Sequence, residues 1–95
     1  MALANISEEN NRLVVSGVLN FITVVTLWQQ SLPLLAAQRE LQIDLSNVTA
    51  ANSGGLALLL EWLKYAKKMQ KSISFIQMPK QLQSMAQIAG IDKII

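Results

Sequence analysis

The stretch "ANSGGLALLL", Ala51 to Leu60, sets a polar pair and two of the chain's four glycines directly ahead of an apolar run. The segment before it, "LQIDLSNV", alternates: Leu41, Ile43 and Leu45 point one way, Gln42 and Asp44 the other. That period of two is a half-buried strand. A strand, a short loop and a capped helix follow one another here. Ser53 or Asn52 supplies the cap, because its side-chain oxygen can accept a free N–H of the first turn. The helix is predicted to start at Ser53 or Gly54 and to run to Met69 or Gln70.

Capping does not account for Gly54 and Gly55. Each costs about 1 kcal/mol relative to alanine inside a helix, so both must permit a close approach. On the sequence, the approach is read as coming from outside: a partner's main chain, or a phosphate, reaching the bared N–H groups. A phosphate on Ser53 would sit at the positive end of the helix dipole. The expected contact surface is therefore Asn52, Ser53, Gly54 and Gly55, with Ser53 as the candidate regulatory or phosphorylated residue.

At about 100° per residue, Leu56, Leu59, Leu60, Leu63 and Ala66 gather on one side of this helix, the expected core face. Leu58, Trp62, Tyr65 and Met69 gather on another. An aromatic stripe away from the core marks an interaction site. Leu58, Trp62 and Tyr65 therefore join the expected partner-binding set, and such a stripe could also serve a homodimer. Lys64, Lys68 and Lys71 lie on a third side, where solubility and dipole compensation suffice to explain them.

Outward from the centre, "NISEENNRLVVSG" reads as two strands joined by the turn "EENN", with Gly17 ending the second. "TVVTLWQQSLPLLAAQ" has a helical stripe of Val24, Leu27, Trp28, Ser31 and Leu35, kinked or split near Ser31 by Pro33. "SISFIQM" is a strand. "PKQLQSMAQIA" is a helix with Pro79 in its first turn, a buried stripe of Leu82, Met85, Ile88 and Ala89, and a stop at Gly90. "IDKII" returns as an apolar tail, read as a short last strand. The order β-β-α-β-α-β-α(-β) predicts an α/β domain with a mixed sheet.

With 95 residues the chain suits one domain, residues 1–95, and its 52% hydrophobic content supports a core. It holds no His and no Cys. The usual general base, the commonest metal ligand and the thiol nucleophile are thus missing. The six carboxylates are scattered, and no phosphate-binding glycine motif occurs. No catalytic residue, metal or cofactor is expected, and the chain reads as a non-enzyme. A net charge of +2 is too small for a nucleic-acid surface. The first residues lack a signal-peptide pattern, and no apolar run is long enough to span a bilayer. The expected location is cytoplasmic, peripheral to a membrane only through a partner.

"ANSGGLALLLEWLKYAKK" after "LQIDLSNVT" resembles the signature of STAS domains, the fold of anti-sigma-factor antagonists. "VVSGVLNF" resembles a second landmark of that family, Gly-Glu-Leu-Asp, and "IAGIDKII" resembles its helix-glycine-strand ending. The resemblance implies a mixed sheet with helices mainly on one face and a regulatory role for Ser53. "SGGLALLL…AKK" is similar to the STAS subunits of phospholipid-transporting ABC complexes. That implies docking on the cytoplasmic ATPase subunit. The alternative the family implies is an anti-sigma-factor antagonist whose partner is a kinase acting on Ser53. Three departures from the acidic pattern stand out: Asn52 precedes the serine, and Val18 and Asn20 replace the Glu and Asp of the second landmark.

Overall fold

The computed structural model describes residues 3–93. Strand β1 (Ala4–Glu9) turns at Asn10–Asn11 into β2 (Arg12–Leu19). Both turn asparagines take positive φ, 52° and 65°, which suits a tight hairpin between twisted strands. Helix α1 (Thr23–Ala36), β3 (Glu40–Ala51), α2 (Ser53–Lys68), β4 (Ser72–Ile76) and α3 (Lys80–Ile88) follow. The sheet order is β1-β2-β3-β4. β1 runs antiparallel to β2, while β2–β3 and β3–β4 are parallel pairs. Each parallel pair is bridged by a helix, as a parallel crossover requires.

One face of the sheet is covered. Leu13, Val15, Leu41, Ile43 and Leu45 are buried, while their alternating neighbours Val14, Gln42 and Asp44 are half-buried. The register puts Ile73 beside Leu41 and Phe75 beside Ile43 on that same face. Leu27 and Leu35 of α1, Leu58, Leu59 and Trp62 of α2, and Leu82 and Ala86 of α3 complete the core. The mixed sheet with its helices on one face is the architecture the resemblance implied.

Several local expectations change. Gly17 does not end β2. It stays in the strand at φ +91°, beside a bulge, where the Val18 N–H donates to the Leu3 carbonyl at 2.9 Å. The glycine lets the N-terminal segment lie against the strand. β3 extends past Leu45 to Ala51, because two extra residues accommodated against β2 keep it paired. Pro33 does not split α1, which remains one helix. In α3 the stripe is Leu82 and Ala86 with Met85 half-buried, and Ile88 is 88% exposed. Pro79 precedes that helix as its N-cap, and Gly90 follows it at φ +73°. Asp92 and Lys93 form a turn, and the remainder of the expected last strand lies outside the described residues.

Candidate functional site

The parallel strands β2 and β3 both deliver their C-terminal ends to one edge of the molecule, where open α/β sheets place their binding sites. β2 leads through Asn20–Ile22 into α1. β3 leads through Asn52 into α2. Asn52 N–H donates to the Leu19 carbonyl at 3.0 Å, which locks the two strand ends together.

Each connection has its own brace. The Asn20 carboxamide oxygen accepts from the Ile22 and Thr23 amides, both at 2.9 Å. In return the Asn20 N–H donates to Thr23 Oγ1 at 3.0 Å, and that hydroxyl donates to the Val18 carbonyl at 2.7 Å. This reciprocal pair behaves as a capping box. On α2, Asn52 Oδ1 accepts from Gly54 N–H at 2.7 Å. The cap is therefore Asn52, which leaves the exposed Ser53 hydroxyl out of the cap.

The two glycines have a different purpose from the one their exposure would give them, for both are buried. A Cβ on Gly54 would lie 2.7 Å from the Phe21 nitrogen and 2.8 Å from the Asn20 carbonyl carbon. A Cβ on Gly55 would lie 2.9 Å from Leu19 Cβ and 3.3 Å from Ala51 Cβ. The backbone that needs the room is the chain's own. Gly54 and Gly55 do not present themselves to a partner. They let the first turn of α2 seat against the β2–α1 connection, and so bring the two helix starts together.

The expected stripe on α2 also needs correction. Leu58 is 3% exposed and Trp62 fully buried. The indole carries the largest apolar surface of the helix, so it is the side chain whose burial gains most. Its N–H is satisfied by Ser31 Oγ at 3.0 Å, and that hydroxyl in turn donates to the Trp28 carbonyl at 2.7 Å. Tyr65 is half-buried, edge-on to Trp28 with ring centroids 6.4 Å apart. It lies about 18 Å along the helix from Ser53, from the rise per residue, and shares no surface with it. Conversely, Leu60 and Leu63 of the expected core face are only half-buried. The helix is rotated so that Gly55, Leu58, Leu59, Trp62 and Ala66 face inward.

The β2–α1 connection against which Gly54 is seated carries Phe21 at 63% exposure and Ile22 at 81%, with Val25 at 58% in the first turn of α1. These three were not singled out from the sequence. The signal available was Asn20 three residues ahead of Thr23 at the start of a helical pattern, which marks a capped helix start. The site is thus a hydroxyl, Ser53, and an exposed carboxamide residue, Asn52, beside an apolar knob. Neither α1 nor α2 has an acid in its first turn, so both positive helix ends are uncompensated there.

Little else suggests chemistry. Asp44 is a carboxylate held by its neighbours on β3. Hydrogen bonds from the Ser46 hydroxyl (2.7 Å) and the Ser46 amide (2.9 Å) hold its carboxyl below the ordinary aspartate range, helped by Arg12 at 3.9 Å. It lies mid-strand, about 23 Å of β3 from Ala51 by strand rise. Among the described residues no three His, Cys, Asp or Glu side chains are grouped to hold a metal. No described helix is long and apolar enough to cross a membrane.

Comparison with known proteins agrees with this geometry. The family model described as "Mlab, STAS domain" matches residues 3–95. A curated relative, the intermembrane phospholipid transport system binding protein MlaB of Haemophilus influenzae, is 29% identical over 91 residues, covering 88% of this chain and 87% of that protein. In fold, the chain is similar to an anti-sigma factor antagonist from Mycobacterium paratuberculosis. The TM-score is 0.73 and the identity 24%, over 97% of this chain and 80% of that one. It is similar also to the antagonist SpoIIAA in its unphosphorylated form, with TM-score 0.71 and 13% identity over 95% and 83% of the two chains. Their likeness extends to the mixed sheet, its order and its one-sided helical cover. With a family match spanning nearly every residue and a fold that agrees, the chain belongs to the MlaB-type STAS domain family.

Proposed function

We propose that this chain is a non-enzymatic subunit that docks on the cytoplasmic ATPase of a phospholipid-transporting ABC complex, and stabilises or regulates it. The observation that carries the proposal is the exposed Ser53–Asn52 corner, next to Gly54 that packs on the β2–α1 connection, where Phe21 and Ile22 stand exposed with Val25 just beyond. A small polar group at the edge of an apolar knob is the composition of a protein-binding centre. The transport-system relative supplies the choice of partner. Gly54 and Gly55 act from beneath, by fixing the two loops. Leu58, Trp62 and Tyr65 support the fold and do not meet the partner.

Phe21→Asp and Ser53→Asp test this. Each puts a charge where burial against the ATPase is expected. Each should weaken co-purification with the ATPase subunit by roughly 30-fold or more, the scale of a hot-spot loss of about 2 kcal/mol. Circular dichroism and thermal midpoint should stay unchanged, because both side chains are exposed. Undiminished binding by both variants would sink the proposal.

A second reading has one observation in its favour. Ser53 is exposed at the first position of α2, where a phosphate would meet the positive end of the helix dipole. An anti-sigma-factor antagonist switched by a kinase at Ser53 would use that site. Intact-mass measurement on protein from its native cell separates the two. A substantial population heavier by about 80 Da, one phosphate, favours the switch, and its absence favours the transporter subunit.

A further inference from the structure

The correction to α2 exposes a different flank. Leu60 and Leu63, with Ala66 and Ile73, form the floor of an open groove of about 480 Å³, rimmed by Lys64, Lys67 and Lys71. The groove meets β4 at Ile73, and β4 pairs only with β3 among the described residues. β4 reads "SISFI": it has no charge and no proline, and its register shows no bulge. Charge, proline and bulge, three usual protections of an exposed strand edge, are thus absent from it. Its outward amides and carbonyls therefore offer a directional template directly beside an apolar floor.

The charge is one-sided. Lys71 is committed to the end of α1, donating to the Leu35 carbonyl at 2.7 Å and the Ala36 carbonyl at 3.2 Å. Lys64 meets one carboxylate, Glu61, at 3.4 Å in an exposed pair. Lys67 has no ion-pair partner among the described residues. An occupant would thus meet two cations, and only a weak surface pair would have to be given up.

We propose that this edge takes up an extended acidic segment of a partner protein. The segment pairs with β4 as a fifth strand and turns every second side chain toward α2; the central ones of that row are apolar and seat on Leu60, Leu63 and Ile73, and acidic ones at the ends of the same row meet Lys64 and Lys67. Main-chain bonds supply affinity in such an addition and the side-chain seats supply selectivity. A second copy of this chain is disfavoured, since pairing β4 with β4 would face one lysine flank with another. An acyl chain would leave the strand's donors and acceptors unpaired. The surface is distinct from the Ser53 corner and does not depend on the function assigned to it.

The test uses the full chain, labelled for amide NMR. It is titrated with a synthetic peptide of about seven residues whose alternate positions read Glu, Val, Val, Glu with Thr between them, with a counterpart carrying Lys in place of Glu, and with vesicles containing phosphatidylglycerol. The acidic peptide should shift the amides of Leu60, Leu63, Lys67 and Ile73 through Phe75, and should slow hydrogen exchange along β4. The lysine peptide should do neither. The exposed double variant Lys64→Glu/Lys67→Glu should bind the acidic peptide at least 10-fold more weakly, whereas Ser53→Asp should bind it as the parent does. Equal response to both peptides, shifts confined to Phe21–Ser53, no shifts at all, or perturbation of this groove by vesicles alone would each overturn the proposal.

Discussion

Gly54 shows how one missing methyl group can organise a site. Its absent Cβ leaves room for the Asn20–Phe21 peptide, which would otherwise be 2.7–2.8 Å away. That neighbour is backbone, so a side-chain rotation cannot relieve the contact. Gly54→Ala would recover helix propensity of about 1 kcal/mol but must push the β2–α1 connection aside. A net loss of about 1–3 kcal/mol is expected from such overpacking. Urea unfolding should show it, together with shifted NMR resonances at Phe21 and Ile22. Ser31 makes the second residue-scale case. Its hydroxyl is the partner of the buried Trp62 N–H. Ser31→Ala strands that donor and should cost about 1–3 kcal/mol in the same measurement. Trp62→Phe, which removes the donor as well, should lose little more when combined with Ser31→Ala than it does alone.

At the scale of elements, α1 is a helix with no basic residue in its last turn and with Pro33 inside it. Its C-terminal carbonyls at Leu35 and Ala36 are capped from elsewhere, by Lys71 at the entrance to β4. The ammonium also lies 5.9 Å from the centre of the Tyr65 ring. One side chain thus ties α1 to the α2–β4 connection. Lys71→Met keeps the apolar stem and removes the charged donor. The expected cost is about 1 kcal/mol, or a fall of roughly 4–8 °C in Tm for a domain of this size. An unchanged midpoint in a thermal melt would show that the clamp contributes nothing. α2 illustrates the limit of pattern reading. Leucines, glycines, a tryptophan and a tyrosine populate more than half of its circumference, so several stripes satisfy the period of a buried face. The sequence alone has no term that chooses among them.

For the whole molecule, the extensive β2–β3 pairing forms the centre of the sheet, and β1 and β4 form its edges. Hydrogen exchange should be slowest for Leu13–Val15 and Leu41–Leu45, which are paired on both sides or buried beneath α1 and α2, and faster in β4. Protection in β4 equal to that of β3 would contradict an open edge. This layout separates two duties: the sheet and the inward faces of the helices hold the fold, while the connections at the C-terminal ends of β2 and β3 carry the corner proposed for docking. Substitutions at Phe21 or Ser53 should therefore change binding without changing stability, and substitutions at Trp62 should do the reverse.

The order of elements, the strand before "ANSGG", the capped helix after it and the STAS likeness were all legible in the chain itself, because alternation, helical period and cap chemistry are local properties. Ser53's place at the start of α2 was legible in the same way, though the neighbouring β2–α1 connection was not. Which side of α2 faces the sheet was decided in three dimensions, where the indole of Trp62 found Ser31 some thirty residues earlier in the chain. So was the meaning of the glycines, since the atoms that fill their space come from Asn20 and Phe21 at Gly54 and from Leu19 and Ala51 at Gly55. Local periodicity reports that a surface is apolar. Only packing between distant segments determines what covers it.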